Sequence, residues 1–226
     1  MFRQLPLPVF WAFSNKSEDF VISECNSYAF NWLEKWPFKI HENFVCLVGE
    51  SGSGKTHMAN IWASRLNADI IDSKSNVFDK WYNISSSNSG QKFFVLNDAD
   101  KIKEEILLFY VYNTIIEKDA YLLMTAKTNP SYWKLSLPDL KSRITTINVV
   151  NIEKPNDKAI IEIMDKMLKQ RGIKMQYECL KYISKRIERS YESINYWVKQ
   201  MDSSVSTNKT LTLSTIRKLM KSFEIS

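Results

Sequence analysis

The sequence predicts an α/β protein in which a parallel, helix-covered sheet is followed by a small all-α domain. Three observations lead to this prediction. Short apolar segments with the length of buried strands alternate with helical segments over about the first 150 residues, and this alternation is typical of parallel sheets covered by helices. A glycine-rich segment at 49–56 stands between one such strand and a helix. From residue 157 onward, helical patterns follow one another.

The first part of the chain contains the predicted sheet. A helix over 25–36 comes first and ends at Trp36, because the residue before a proline disfavours the helical conformation. Later segments have the apolar or β-branched composition of buried strands: residues 44–48, 69–72, 92–96, 120–125 and 143–150. Two segments between them have a helical apolar pattern and few helix breakers: residues 56–66 and 103–117.

The composition changes near Glu153-Lys154-Pro155, which we take as a domain boundary. Helices are predicted beyond it at about 157–171, 176–187, 190–204 and 211–223. The chain therefore divides into an N-terminal arm punctuated by prolines (1–17), an α/β core (18–152) and a helical domain (153–226).

Composition and charge limit the classes of protein that fit this chain. It has 226 residues, 44% of them hydrophobic, and a formal net charge of +6. That charge allows an acidic partner such as nucleic acid, but the basic residues are scattered among acidic ones, which favours a solvated basic surface. The three cysteines are far apart and odd in number, as expected in a reducing compartment. Neither a signal peptide nor a membrane-spanning run is found, so we expect a soluble cytoplasmic protein without a membrane partner.

Residues 49–56 match the phosphate-binding pattern G-x-x-x-x-G-K-[ST]. Their glycines allow backbone N–H groups to turn around phosphate oxygens, and the N-terminus of the following helix adds its positive end. Lys55 is expected to reach the β- and γ-phosphates, and the Thr56 hydroxyl to ligate Mg²⁺. The sequence therefore predicts that ADP or ATP binds with Mg²⁺ at Gly49, Glu50, Ser51, Gly52, Ser53, Gly54, Lys55 and Thr56.

An ATPase with this loop also needs an acidic residue at the end of a second strand, where it holds Mg²⁺ or orients water. Here the strand runs into Asn97-Asp98, so a neutral amide precedes the acid. Asp98 can serve either the metal shell or the water, and Asn97 and Thr56 are the other candidate metal ligands. In the alternative, Asp98 only caps the turn, and hydrolysis is lost or strongly weakened. Both outcomes are compatible with the sequence.

Arg143 is a candidate catalytic residue of another kind. It follows the segment Leu137–Ser142, on a predicted turn just past the core sheet. From such a position an arginine can reach the phosphates of a neighbouring molecule and act as an arginine finger. The alternative is a surface ion pair. His57, in the first turn of the helix after the glycine loop, is expected to pack or to cap rather than to act as a base.

Together these motifs resemble the Hda group within the DnaA branch of AAA+ proteins, and the resemblance extends over nearly the whole chain. Gly54–His57 is similar to the DnaA-branch form of the loop, and Asp19–Ile22 is similar to the stretch that surrounds the adenine. Leu137–Arg143 is similar to the arginine-finger segment of the family, which favours the finger over the surface ion pair. The resemblance adds three nucleotide-binding residues: Phe20, Val21 and His57.

The N-terminal arm resembles the short motif by which Hda proteins bind the replication sliding clamp: Gln4, Leu5, Pro6, Leu7 and Pro8. The prolines pre-extend this segment and reduce the entropy lost on binding. Leu5 and Leu7 would fill apolar pockets, and Gln4 would hydrogen-bond at the rim. The alternative is an unstructured tail whose prolines are incidental.

Three positions depart from the family pattern. Asn97 stands where the family has the Mg²⁺-binding aspartate, and Lys127 stands where the DnaA branch tends to have an acid after the sensor I strand. The sensor II arginine falls on Glu192, with Arg189 one turn earlier as the candidate substitute that contacts nucleotide. These differences imply weak or no intrinsic ATPase activity, in a protein that needs bound nucleotide mainly to set its shape.

The resemblance implies a negative regulator of DNA replication initiation. Held on the DNA-loaded clamp by its arm, the protein would promote hydrolysis of DnaA-bound ATP through Arg143 supplied in trans, without reading DNA sequence itself. Homo-oligomers are compatible with this role. One alternative is a stand-alone AAA+ ATPase of the helicase-loader type, which binds single-stranded DNA. The other is a degenerate nucleotide-binding scaffold without activity toward DnaA.

Overall fold

The structure is a computed structural model that describes residues 20–72, 81–82, 90, 92–204 and 210–224. The predicted clamp-binding arm, which includes Gln4–Pro8, lies outside these residues. Within the described ranges, no helix combines the length and the apolar character needed to cross a membrane. The three cysteines fall inside the ranges and are buried, free thiols.

The first part of the chain contains a five-stranded sheet. Its strands are β1 (Phe44–Val48), β2 (Asp69–Asp72), β3 (Phe93–Asn97), β4 (Tyr121–Ala126) and β5 (Asn148–Asn151). Their spatial order is β2-β3-β4-β1-β5, and every neighbouring pair is parallel, as predicted. Because Val48 of β1 pairs with Ala126 of β4 and with Asn151 of β5, the carboxyl ends of these strands meet at one edge of the sheet.

Helices cover both faces of the sheet. The helices of the first part whose bounds fall within the described ranges are α1 (Ser27–Lys35), α2 (Lys55–Leu66), α3 (Glu105–Glu117) and α4 (Pro138–Thr145). Alternate side chains of a strand point to opposite faces. Val45 and Leu47 of β1 accordingly belong to a buried cluster with α1, α2 and the helical domain, whereas Phe44, Cys46 and Val48 belong to a second cluster with α3 and α4. The helical domain thus shares a core with the sheet face that carries α1 and α2.

The strand predicted over 143–150 is wrong in its first half. That half belongs to helix α4, and β5 begins only at Asn148. A proline at the first helical position has the fixed φ that suits a helix start. Leu140 and Ile144, four residues apart, bury one face of the helix, and this packing outweighs the β-branched composition. Arg143 consequently lies in the last turn of a helix and not on a turn after the sheet.

The second part of the chain forms the predicted helices, with ends shifted by a few residues: α5 (Asp157–Gln170), α6 (Tyr177–Ser184), α7 (Tyr191–Ser204) and α8 (Leu213–Glu224). It also contains an element that the sequence pattern did not predict. Strands β6 (Lys174–Met175) and β7 (Thr210–Leu211) pair in parallel, so this domain is not purely α-helical. Each strand is two residues long, which is too short for an alternating pattern to be recognised.

Tyr191, at the start of α7, joins the helical domain to the core. Its hydroxyl donates to the Glu153 carbonyl oxygen at 3.1 Å and lies 3.0 Å from the Cys25 Sγ atom. A backbone hydrogen bond joins the same two segments, because the Glu153 N–H donates to the Cys25 carbonyl at 2.9 Å. Burial raises the pKa of Tyr191 above its ordinary value, so the phenol stays protonated and able to donate.

We expect Tyr191→Phe to lower the free energy of unfolding by about 0.5–1.5 kcal/mol, because the Glu153 carbonyl loses its phenol donor. Urea-induced unfolding measures this difference. Tyr177→Phe, at an exposed position of α6, serves as the control and should change the free energy by less than about 0.5 kcal/mol. Equal effects of the two substitutions would contradict the bridging role of the Tyr191 hydroxyl.

Candidate nucleotide-binding site

The glycine-rich loop begins at the carboxyl edge of the sheet, where neighbouring strands hold it. The Gly49 N–H donates to the Ala126 carbonyl at the end of β4, at 3.2 Å. On the other side, the Val48 carbonyl accepts from the N–H of Ile152, just beyond β5, at 2.7 Å. The loop then ends where α2 begins, at Lys55. Strand, loop and helix follow in the order that a phosphate-binding loop requires.

Two glycines of the loop have a left-handed backbone, with φ of 77° at Gly52 and 88° at Gly54. Residues with a side chain rarely adopt this region. Side chains of other segments also lie close to both glycines. A Cβ atom on Gly52 would lie 2.8 Å from Nδ2 of Asn195 in α7, and one on Gly54 would lie 3.0 Å from the Phe20 ring. The loop therefore touches the helical domain on one side and the segment before α1 on the other.

Lys55 is the buried cation of the loop. Its Nζ atom donates to the carbonyls of Gly49 at 2.7 Å and Glu50 at 2.8 Å. Burial lowers the pKa of Lys55 below its ordinary value, and the charges of Asp98 and Asp100 oppose this shift. Two carboxylates at the edge of the sheet therefore act electrostatically on the amine that is expected to meet phosphate.

The predicted adenine segment and His57 lie together beside the loop. The Phe20 side chain is buried and stacks on Phe30 with ring centroids 5.9 Å apart. It also meets the His57 ring edge-on at 5.2 Å, so His57 packs, one of the two roles expected of it. Asn26 fixes the chain that follows, because its Nδ2 atom donates to the Val21 carbonyl at 2.8 Å. Phe20 and His57 together form an aromatic wall next to the loop.

The end of β3 is organised by Thr125 of β4. Asn97 is buried, and its Oδ1 atom accepts from the Thr125 hydroxyl at 3.2 Å. The N–H of Asp98 donates to the same hydroxyl at 3.0 Å. Asp98 itself has a left-handed backbone with φ of 54°, and its carboxylate pairs with Lys101 at 2.7 Å. The Thr125 hydroxyl therefore orients the Asn97 side chain and the Asp98 backbone, the two residues predicted at the end of this strand.

Asp100 is a residue of this edge that the sequence-based prediction did not include. Its Oδ2 atom accepts from the Lys127 N–H at 2.9 Å. Its Oδ1 atom is buried, and no hydrogen-bond partner is found for it in the part of the chain that the structure describes. The signal that could have found it is the second acid in the run Asn97–Asp100.

The residue types at this edge are those that hold a magnesium ion accompanying a nucleotide. Mg²⁺ takes oxygen ligands from one or two carboxylates and from substrate phosphates, and it keeps several waters. The carboxylates of Asp98 and Asp100 and the hydroxyl of Thr56, in the first turn of α2, are of this kind. The amide oxygen of Asn97 is engaged by Thr125, whereas Oδ1 of Asp100 is buried and without such a partner among the described residues. A bound ion would neutralise charge on the phosphate oxygens.

A cavity of about 390 Å³ lies between the loop and the helical domain. Its lining is polar and rich in carboxylates: Glu50, Ser51, Lys127, Glu188, Ser190, Glu192, Ser193 and Tyr196. Glu192, at the predicted sensor II position, is part of this lining, but Arg189 is not. The Arg189 Nε atom instead donates to Oδ1 of Asp157 at 2.9 Å, and its side chain is 66% exposed. Arg189 is therefore bound within its own domain, and carboxylates face the cavity from that side.

Arg143 contacts α3 from the last turn of α4. Its Nη1 atom donates to Oδ1 of Asn113 at 3.1 Å. The guanidinium carbon lies 5.3 Å from the ring centroids of both Phe109 and Tyr112, close enough for cation–π attraction. A neutral amide and two aromatic rings thus anchor the side chain, and these contacts are not those of the surface ion pair considered above.

A glycine-rich loop thus stands at the carboxyl edge of a parallel sheet, with a helical domain packed beside it. No family model matches the chain. An uncharacterized protein of Haemophilus influenzae is 24% identical to it over 232 residues, which cover 97% of this chain and 99% of that protein. The chromosomal replication initiator protein DnaA of Buchnera aphidicola subsp. Cinara cedri is also 24% identical, over 89% of this chain. The chain spans about half, 51%, of the length of that initiator.

Solved structures share the fold at low sequence identity. Domain III of the replication initiation protein DnaA from Thermotoga maritima has a TM-score of 0.71 and 18% identity, over 91% of this chain and 95% of that domain. AMPPCP-bound DnaA from Aquifex aeolicus has a TM-score of 0.70 and 17% identity, over 92% of this chain and 69% of that one. The Thermotoga maritima RuvB Holliday junction branch migration motor has a TM-score of 0.70 and 18% identity, over 94% of this chain and 73% of that one. These likenesses establish the fold, which is that of the AAA+ domains of DnaA and RuvB.

We expect Lys55→Ala to weaken ADP binding by about 10- to 100-fold, because a hydrogen bond from a charged donor contributes roughly 1.5–3 kcal/mol. Isothermal titration calorimetry in the presence of Mg²⁺ measures the change. Lys92→Ala is the control, since Lys92 pairs with Asp119 at the opposite end of the sheet and should alter affinity less than about threefold. Unchanged ADP affinity in the Lys55 variant would contradict the assignment of the loop.

We expect Gly52→Ala to destabilise the protein more than Gly90→Ala does. Both glycines have positive φ, 77° and 66°, so each substitution carries the left-handed backbone cost of about 1–2 kcal/mol. At Gly52 the new methyl group would also meet Asn195, whereas no described residue lies within 4 Å of a Cβ atom on Gly90. The additional loss should be about 1 kcal/mol or more by urea-induced unfolding. Equal losses would mean that α7 does not press on the loop.

Proposed function

We propose that this protein is a nucleotide-binding negative regulator of DNA replication initiation, which promotes hydrolysis of ATP bound to DnaA. One contrast carries the proposal. The phosphate-binding loop is intact, whereas β3 ends in the neutral Asn97 where phosphoryl-transfer ATPases place a carboxylate. A protein of this kind binds nucleotide but hydrolyses it slowly at most. Its likeness to DnaA, in sequence and in fold, supports the replication setting.

ADP or ATP with Mg²⁺ is the proposed ligand of the loop. Likeness to DnaA structures that hold AMPPCP supports this assignment. The loop amides and Lys55 would bind the phosphates, and Phe20 with Val21 would pack against the adenine. The nucleotide would then also stiffen the junction of the two domains, because Gly52 of the loop lies against Asn195 of α7.

Arg143 is proposed to act on a nucleotide held by a neighbouring DnaA molecule. An arginine supplied in trans stabilises the charge of the transition state and contributes about 10³–10⁵ in rate. The contacts with Asn113 and with the Phe109 and Tyr112 rings support this role, because they limit the rotamers of the side chain. A side chain that is already oriented loses less entropy when its remaining N–H groups meet phosphate.

The sliding clamp is proposed as the second partner, bound through Gln4–Pro8. The support is the sequence of this arm, in which two prolines favour an extended ligand. Attachment to a clamp on DNA would raise the local concentration of the protein beside DnaA, to an effective value on the order of millimolar for a short flexible connection. Association with DnaA could then be weak and still be productive.

A stand-alone AAA+ ATPase of the helicase-loader type is the second candidate function. The net charge of +6 favours it, as does likeness to a DnaA structure that contains single-stranded DNA together with AMPPCP. This candidate requires substantial intrinsic ATP hydrolysis and single-strand binding that weakens steeply with salt. Asn97 at the end of β3 argues against it.

The decisive experiment follows hydrolysis of ATP pre-bound to DnaA, with and without this protein, in the presence of clamp loaded on DNA. We expect acceleration by the unsubstituted protein and a loss of about 10³-fold or more of that acceleration in Arg143→Ala. ADP affinity should be retained in the variant, because the contacts of Arg143 are with α3 and not with the loop. Gln4→Ala should remove the part of the acceleration that depends on the clamp.

Arg186→Ala is the matched control for the finger. Arg186 also holds its guanidinium over an aromatic ring, that of Tyr182 at 3.7 Å, but in the helical domain. The Arg186→Ala variant should accelerate hydrolysis of DnaA-bound ATP as much as the unsubstituted protein does. Full acceleration by Arg143→Ala would refute the finger assignment. No acceleration by the unsubstituted protein, folded and bound to ADP, would favour the loader or a scaffold without activity toward DnaA.

A further inference from the structure

One carboxylate oxygen of Asp100 is buried without a hydrogen-bond partner among the described residues. The other oxygen, Oδ2, accepts from the Lys127 N–H at 2.9 Å, so the orientation of the carboxylate is fixed. Oδ1 is shielded from solvent and makes no hydrogen bond within the described ranges. A buried polar atom without a partner costs about 1–3 kcal/mol, and more when it is charged. Such an atom in a folded protein therefore points to an ion, a water or a functional role.

A single peptide group links Asp100 to the phosphate-binding loop. The peptide between Ala126 and Lys127 follows β4, and its carbonyl accepts from the Gly49 N–H at 3.2 Å. The N–H of the same peptide donates to Asp100. Asp100 therefore reaches from the end of β3 to the end of β4, which is the neighbour of β1 and one strand closer to the loop.

The charge of Asp100 also acts on groups of β1 and of the loop. Burial raises the pKa of the Cys46 thiol in β1, and the charge of Asp100 adds to this shift. Burial lowers the pKa of Lys55, and the charges of Asp98 and then Asp100 act against it. Asp100 thus stands within electrostatic reach of the lysine that would meet phosphate.

The other two candidate residues at this edge are less suited to hold a cation. Asn97 is neutral, and its amide oxygen already accepts from the Thr125 hydroxyl. Asp98 carries a negative charge, but Lys101 neutralises it at 2.7 Å. A metal ion at Asp98 would have to compete with that ammonium group, whereas Oδ1 of Asp100 has no cation paired with it among the described residues.

We propose that Asp100 supplies the carboxylate that holds the magnesium ion of a bound nucleotide, through Oδ1. The inference rests on the nucleotide binding proposed above and not on any action toward DnaA. The remaining ligands would come from phosphate oxygens, from Thr56 and from water. The ion gives the buried oxygen its missing partner, while the Lys127 N–H orients the carboxylate from the other side.

The test measures how much Mg²⁺ strengthens ADP binding to the full chain. Isothermal titration with saturating Mg²⁺ and with excess chelator gives this gain for each variant. Asp100→Asn keeps an oxygen for the Lys127 N–H but removes the charge, so we expect it to lose at least about tenfold of the gain. Asp119→Asn is the control, because it removes the charge of an aspartate that pairs with Lys92 at an exposed position. This variant should keep the gain.

Asp98→Asn decides between the two acids. Under the proposal its loss of the Mg²⁺-dependent gain is smaller than that of Asp100→Asn. A larger loss in Asp98→Asn, a full gain in Asp100→Asn, or no gain in the unsubstituted protein would each overturn the proposal. Electron paramagnetic resonance of Mn²⁺ with ADP provides a direct readout, in which Asp100→Asn should reduce the bound fraction. Circular dichroism checks that each variant is folded.

These outcomes are separate from those of the hydrolysis assay. Acceleration of DnaA-bound ATP hydrolysis with an unchanged Mg²⁺ gain in Asp100→Asn would reject the metal assignment alone. A lost Mg²⁺ gain in Asp100→Asn, without any acceleration by the unsubstituted protein, would reject the regulatory function alone.

Discussion

The hydrogen bond from the Gly49 N–H to the Ala126 carbonyl is the contact on which the rest of the site depends. It fixes the start of the glycine-rich loop to β4, and the same peptide group holds Asp100 through its N–H. Loop and carboxylate are therefore positioned by one rigid unit, since a peptide group is planar. A shift of β4 relative to β1 would move the backbone of the glycine-rich loop and the Asp100 carboxylate together. The buried packing of both strands makes such a shift costly.

Helix α7 meets the loop mainly through shape, whereas Lys154, which precedes the helices of this domain, pairs with Glu50 of the loop at 2.9 Å. Gly52 has no side chain, and Asn195 occupies the space that a Cβ atom would need. Arg189, which could have provided a charged contact, is paired with Asp157 instead. The cavity beside the loop is lined by carboxylates from both domains, among them Glu50 and Glu192. Helix α7 therefore contacts the backbone of the loop directly, whereas Arg189, which precedes this helix, does not reach it.

The chemistry of the chain is divided between two regions. Around the loop, Lys55 and the nearby acids form the proposed nucleotide site, and the neutral Asn97 lacks the charge that hydrolysis would use. On the opposite face of the sheet, where the second buried cluster lies, Arg143 is anchored by Asn113 and two aromatic rings. In the function proposed above, the loop region binds this protein's own nucleotide, and the oriented arginine acts on a second nucleotide-bound molecule. This separation underlies the regulatory function proposed here.

Local pattern alone determined the parallel sheet, the glycine loop and most helices, because period and composition encode burial and turn geometry directly. It failed where packing decided between conformations. Helix α4 formed over a β-branched segment because Leu140 and Ile144 bury one face, and β6 with β7 was too short to have a pattern. Asp100 and the partner of Arg143 depended on tertiary structure for the same reason. Which oxygen is left without a partner, or which amide meets a guanidinium, depends on residues about 27 to 30 positions apart in the chain, and no local spacing contains that information.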